Sequence, residues 1–309
     1  MNISTLLKCF ALSGFSIPIL ADETGVDFSL EARAGYVSDS AVGVDELERN
    51  SRKSDQAYSW QVKPEIHLRP AEKWEIMASY NRSWTNYRTL DSYDLDIADL
   101  ALSAQYKANI GDVGYRFDSV SADLGGSEFL DMNMHNVNWG NMIGKHHYLR
   151  FSYLFKDKDY IGLEERDATN HGVSSQLFLF SKNLKNILIV SATLENEQAE
   201  VSAFDYNAWQ VSVSLNRKFK VMVHDAEIKL RAQYRSQSYD STERINIFNP
   251  DLGRAARDDS ATTLSAELKY IVNDNLSLIS SLESLDQRSN LDAAEFDRTL
   301  ARLSLQINY

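Results

Sequence analysis

The end of the chain alternates residue by residue. From Thr299 onward, Ala301, Leu303, Leu305, Ile307 and Tyr309 share one face. Arg298, Arg302, Ser304, Gln306 and Asn308 share the other, with Leu300 the one apolar residue among them. Side chains of a β-strand alternate between faces with a period of two, so this pattern predicts a strand with one apolar and one polar side. The pattern recurs upstream. Tyr58, Trp60, Val62, Ile66 and Leu68 alternate with Gln61, Lys63, Glu65 and His67, and Leu100, Leu102, Ala104 and Tyr106 alternate with Ser103, Gln105 and Lys107. Ile228, Leu230, Ala232 and Tyr234 alternate with Lys229, Arg231 and Arg235, and Leu264, Ala266, Leu268 and Tyr270 with Glu267 and Lys269.

Fourteen such segments can be counted, near 26–37, 56–68, 74–87, 94–108, 112–121, 128–141, 146–156, 170–181, 186–195, 206–216, 221–237, 260–272, 276–286 and 296–309. The sixth and eighth are the least regular, which leaves a range of 12 to 16 strands. Several exceed ten residues, about what a tilted strand needs to cross the hydrocarbon layer. The links between them sort by parity. The spans 38–55, 88–93, 157–169 and 238–259 are long, whereas 69–73, 109–111, 182–185 and 273–275 are short and rich in turn formers. A soluble sandwich has no reason to sort its links this way. A transmembrane antiparallel up-and-down β-barrel does, with short turns and both termini on the periplasmic side and longer loops outside.

Composition agrees. The chain is 43% hydrophobic and 25% charged, too apolar for disorder. A mean hydropathy of −0.38 fits a barrel with lipid on one face and water on the other. The formal charge of −12 argues against nucleic acid as a partner. Beyond residue 21, no apolar run is long enough for a transmembrane helix. Residues 1–21 combine Lys8, an apolar stretch from Cys9 to Leu20 and Ala21 before Asp22 and Glu23, the pattern of a cleaved secretory signal peptide. Residues 22–309 then form the barrel. The sole cysteine, Cys9, lies inside that signal, so neither disulfides nor a cysteine metal site are expected. Tyr58, Trp60, Trp74, Trp84, Tyr115, Phe117, Tyr153, Tyr270 and Tyr309 sit where interfacial girdles belong.

Short motifs near the C-terminus carry a family resemblance. Arg257-Asp258-Asp259 precedes a strand, Arg288-Ser289-Asn290 lies in the last loop, and Phe296-Asp297-Arg298 opens the final strand. Upstream, residues 123–130 (DLGGSEFL) and Glu165-Arg166-Asp167-Ala168 belong to the same set. With these motifs the chain resembles the barrels of the surface lipoprotein assembly modifiers and related porins of Gram-negative bacteria. The resemblance implies a fourteen-stranded barrel in the outer membrane. Those assembly modifiers place a periplasmic helical-repeat domain before the barrel, and no repeat of about 34 residues occurs here. Export of a surface lipoprotein, protein or polysaccharide would therefore require a separate periplasmic repeat protein. The terminal pattern Leu303, Leu305, Ile307 and Tyr309 resembles the signal read by the barrel assembly machinery.

No catalytic site is expected. His171 and Ser175 share a strand face but stand roughly 13 Å apart, beyond a direct hydrogen bond. His146 and His147 belong to a short turn, and His135 to the irregular sixth strand. Asp157, Asp159, Glu164, Glu165 and Asp167 crowd one external loop and read as a solvated face, with binding of calcium or lipopolysaccharide-bridging cations as the alternative; no zinc spacing, phosphate loop or nucleotide fingerprint is present. The polar face supplies the candidate pore lining: Lys63, Glu65, Arg116, Asp118, Lys229, Arg231, Arg235, Lys269, Arg298 and Arg302. Facing open water, Arg231, Arg235, Arg298 and Arg302 would favour anions; paired with carboxylates, they would rigidify or plug the lumen. The expectation is a porin-like channel for passive diffusion, with partner-dependent export or a structural, adhesive barrel as the alternatives.

Overall fold

A computed structural model describes residues 25–240 and 256–309. The expected signal peptide lies outside them. Fourteen long strands form one closed antiparallel barrel. They are β1 (Gly25–Asp39), β2 (Asp55–Ala71), β3 (Trp74–Tyr87), β4 (Leu95–Ala108), β5 (Gly111–Leu124), β6 (Ser127–Ile143) and β7 (His147–Asp159). The second half comprises β8 (Ala168–Phe180), β9 (Asn186–Ala199), β10 (Tyr206–Val221), β11 (His224–Tyr239), β12 (Asp258–Ile271), β13 (Leu276–Ser289) and β14 (Phe296–Asn308). Each strand pairs with its sequence neighbours, and β1 closes on β14 with Ala34 opposite Leu305 and Tyr36 opposite Leu303. The seam ends in a reciprocal backbone pair, Leu30 N to Tyr309 O at 2.8 Å and Tyr309 N to Leu30 O at 2.9 Å. Closure leaves no strand edge unpaired, the condition for crossing hydrocarbon.

The two faces separate as the alternation requires. Trp60, Leu264, Leu282, Leu303, Leu305 and Ile307 are all more than half exposed on the outer wall. So continuous an apolar surface demands lipid. Aromatic pairs knit adjacent strands on this face, Trp74 with Tyr106 at 4.9 Å and Trp209 with Tyr234 at 5.3 Å between ring centroids.

The count of fourteen holds, and β6 and β8, the least regular in sequence, are continuous strands. One expectation needs correction, because the parity of the links breaks once: β5 and β6 lie on the long-loop side of the barrel, yet only Gly125-Gly126 joins them. Both glycines have positive φ, +59° and +80°. A two-residue hairpin turn with that handedness suits glycine and follows the twist of the strands it joins.

Candidate functional site

The link between β1 and β2, residues 40–54, folds inward. Gly43-Val44 pairs with Arg49-Asn50 in a minute hairpin, and a single 3-10 turn (Asp45–Leu47) forms its tip. Val42 and Val44 are buried in an apolar cluster with Tyr93, Ala122, Phe129, Leu130 and Tyr160. These two valines, with Leu47 packed against the same cluster, explain the insertion. They are apolar residues in a mostly polar link, and their packing against the inner wall removes them from water.

Polar anchors hold both ends of the loop. Asp39, fully buried at the end of β1, accepts hydrogen bonds from Arg298 Nη2 at 2.7 Å and the Tyr87 hydroxyl at 3.1 Å. Its Oδ1 also accepts from the Ala41 backbone N–H at 3.1 Å, turning the chain into the lumen. At the far end, Asp55 accepts from Thr89 N and Leu90 N, both at 2.8 Å, and Arg52 Nη2 donates to the Asp292 carbonyl at 2.6 Å.

The tip carries Glu46 and Glu48 to the opposite wall. Lys158 Nζ of β7 lies 3.1 Å from Glu46 Oε2 and 3.0 Å from Glu197 Oε2 of β9. Tyr206 donates to the same Glu197 oxygen at 2.8 Å, and Asn170 Nδ2 donates to it at 3.1 Å. Glu48 is met by Arg257 at 2.9 Å and Arg166 at 3.7 Å, and it accepts the Tyr239 hydroxyl. Arg257 is also held by Asp259, its Nε donating to Oδ1 at 3.0 Å. Lys158 and Arg257 are only 4% and 3% exposed, so these pairs act in a medium that screens poorly. Burial works to raise Glu46, but Lys158 and Lys156 outweigh it and hold the carboxyl below its ordinary range. Burial pushes the neighbouring Tyr160 hydroxyl up to about 12, with Lys158 opposing and Glu46 and Glu197 adding to the rise.

Register places all ten expected lining residues on the inner wall, opposite in parity to the lipid-facing side chains. Many are paired. Lys63 meets Glu65 at 3.1 Å, Lys229 meets Glu267 at 3.4 Å, and Arg116 Nε donates to Asp118 at 2.8 Å. Arg235 meets Glu195 at 3.0 Å, and Arg298 is held by Asp39. Of the four arginines expected to favour anions, only Arg231 and Arg302 have no carboxylate within 4.0 Å among the described residues, and Arg231 Nη2 donates to Gln233 at 2.6 Å. Lys269 is likewise without one, and so, in reverse, Asp99, Glu227 and Glu283 have no cation that close. The lumen therefore carries both signs.

The loop residues Glu46 and Glu48 and their partner Lys158 escaped sequence reasoning, and Arg166 and Arg257 entered it only as parts of the resemblance motifs, with no role in the lumen. The signal for the loop was the apolar set Val42, Val44 and Leu47 inside a long, mostly polar link. The histidines lie elsewhere: His135 and His171 are on the outer wall, each with Nδ1 bonded to a tyrosine hydroxyl, Tyr115 at 2.8 Å and Tyr153 at 2.7 Å. His171 and Ser175 are both outward, opposite Phe155 and Phe151 of β7. His146 precedes β7 and His147 begins it. Among the described residues, no group of three or more His, Cys, Asp or Glu could hold a metal ion.

The fold is that of bacterial outer-membrane barrels. The chain is similar to OmpT, an outer membrane protein of Vibrio cholerae, at 8% identity and a TM-score of 0.56, covering 93% of this chain and 100% of that one. It is similar to an anion-selective porin from Comamonas acidovorans at 7% identity, with a TM-score of 0.54 and the same coverage. A bacterial polysaccharide outer membrane secretin aligns at 11% identity and a TM-score of 0.50, over 91% of this chain and 98% of that one. No family model matches the sequence, and no characterised protein matches it by sequence comparison.

Proposed function

We propose that the chain is a porin-like channel of the bacterial outer membrane, passing small hydrophilic solutes or ions through a lumen narrowed by the 40–54 loop. The observation that carries this reading is the loop itself. It is anchored at both ends, seated on the inner wall through Val42 and Val44, and stretched across to Lys158 and Arg257. A barrel with a purely structural or adhesive role has no need to bring an external loop inside. The polar lining of both signs supports passage of water and solute. It also predicts weak charge selectivity in place of the anion preference that four free arginines would confer.

The reading is of a channel and not an enzyme. His171 and Ser175 share the outer face of β8 but stand four residues apart, roughly 13 Å and beyond a direct hydrogen bond, and His171 Nδ1 is engaged by the Tyr153 hydroxyl. Outer-membrane lipid is the surrounding partner, and Leu303, Leu305, Ile307 and Tyr309 are the segment through which the barrel assembly machinery would receive the chain. The resemblance of its short motifs to assembly-modifier barrels supplies the competing reading, export driven by a separate periplasmic repeat protein.

The test is reversal potential across a salt gradient with the refolded barrel in a planar bilayer. The channel reading expects stable conducting steps with weak selectivity, and Arg231→Glu should move the reversal potential toward cations. A folded barrel that never conducts would overturn it in favour of partner-dependent export.

A further inference from the structure

The wall facing the loop tip has an uneven charge. Among the described residues, the ion-paired network there contains the cations Lys156, Lys158 and Arg235 of the wall, Arg257 just before β12 and Arg166 of the β7–β8 link, with the wall carboxylates Glu195, Glu197 and Asp259. These cations exceed these carboxylates by two. Glu46 and Glu48, which come from the loop and not from the wall, supply the two missing charges. Each addresses a different part of the network: Glu46 the ammonium of Lys158, Glu48 the guanidinium groups of Arg257 and Arg166. Hydroxyls of Tyr160 and Tyr239 converge on the same two side chains.

The two kinds of carboxylate are held differently. Glu197 and Asp259 are fixed on strands and nearly buried, with side-chain exposures of 9% and 6%. Glu46 and Glu48 are 46% and 22% exposed and sit on a loop tip held by a two-pair backbone ladder and by bonds from Arg166 to the Glu46 and Leu47 carbonyls. Lysine and arginine positions arranged around a removable carboxylate are chemically a receptor for carboxylate, since guanidinium forks and ammonium groups make short charge-assisted bonds to it.

We propose that this patch is a binding site for a solute carrying at least two carboxylates, and that Glu46 and Glu48 occupy it in the solute's absence. The proposal rests on the channel reading and names the solute class for it. When the loop tip leaves, the wall is short of two negative charges, and a dicarboxylate restores the balance. The loop is a tethered competitor with an effective concentration on the order of millimolar. The solute accordingly binds weakly and leaves readily, as a channel site requires.

Succinate is the probe, with acetate as the single-carboxylate control and putrescine as the cationic one. In Glu46→Gln/Glu48→Gln protein, succinate should block or modulate current at concentrations roughly tenfold lower than in the unaltered barrel, because the tethered competitor has lost its charge. It should also raise the melting temperature of the detergent-solubilised variant, while acetate and putrescine do neither. Adding Arg166→Gln should remove the succinate effect. The melting readout does not depend on conduction, so a silent barrel that succinate stabilises overturns the channel reading and keeps the site. A conducting barrel with equal response to succinate in both proteins, or equal response to acetate, overturns the site. Should the double variant not fold, Glu48→Gln alone is expected to show a smaller shift in the same direction, and no shift there is contradictory.

Discussion

Glu46, at the tip of the first external loop, lies 3.1 Å from Lys158, which sits 112 residues further along the chain on the inner wall of β7. Together with the Glu48–Arg257 pair, this contact ties a loop rooted between β1 and β2 to the far half of the barrel. It converts an external connection into part of the lumen.

The pair should be sensitive to acid. Glu46 titrates below its ordinary 4.5 in the folded protein, so its contribution is fully present above that value and is lost as pH falls through the lowered one. Single-channel conductance of the refolded barrel should rise as the pH drops below about 4.5, the ordinary carboxylate range. Glu46→Gln should conduct at the raised level throughout and lose that pH step.

Asp39 is the residue on which the loop turns. Asp39→Ala leaves Arg298 partly buried without its carboxylate and removes the acceptor of the Ala41 N–H. Breaking one side of such a pair costs about 3–5 kcal/mol in a fully buried setting, and the residual exposure of Arg298 places the expectation at the low end. Urea unfolding in lipid vesicles, followed by tryptophan fluorescence, measures it. Asp39→Asn, which keeps one acceptor oxygen, enough for the Ala41 N–H or the Tyr87 hydroxyl but not for both, should lose less.

Leu264 and Ser265 are neighbours on β12 that face lipid and lumen respectively. Leu264→Arg should destabilise the barrel by about 2–4 kcal/mol, as a charge on the lipid face does near mid-membrane. Ser265→Arg should fold with little change, because water receives the guanidinium. Equal loss of the folded, heat-modifiable band in both variants would show that the two faces are misassigned.

The Gly125-Gly126 turn gives a backbone test. Gly125 has φ +59°, and a Cβ there would meet Ser92 at 3.2 Å, whereas Gly126 (φ +80°) opens on free space. Alanine at either position is strained by roughly 1–2 kcal/mol, and the Gly125 variant should be the worse of the two because Ser92 must also move. Comparative urea midpoints decide it.

How much of this could be read beforehand follows from range. The fourteen strands were legible because side-chain alternation is a local property: each of Leu303, Leu305 and Ile307 declares its face through its nearest neighbours. The same parity put Arg231 and Lys269 on the inner wall. What the alternation does not encode is which charges meet. Arg298 finds Asp39 only because β14 closes on β1, and Arg235 finds Glu195 two strands away, contacts fixed by closure and shear. The inserted loop was least visible of all, since Glu48 and Arg257 belong to segments that alternation leaves blank. The tight turn at Gly125-Gly126 falls in the gap between the expected strands 112–121 and 128–141, where the glycine pair is the local mark of a short turn.

The most direct test of the inserted loop compares single-channel conductance of the unaltered barrel with that of a variant in which residues 41–53 are replaced by a short Gly-Ser link. Both proteins would be checked for folding by heat-modifiable mobility. The lumen being narrowed by this loop, the variant should conduct several-fold more current at the same salt and voltage. Equal conductance in the two folded proteins would mean that the loop does not stand in the path, and the account of the lumen would fall with it.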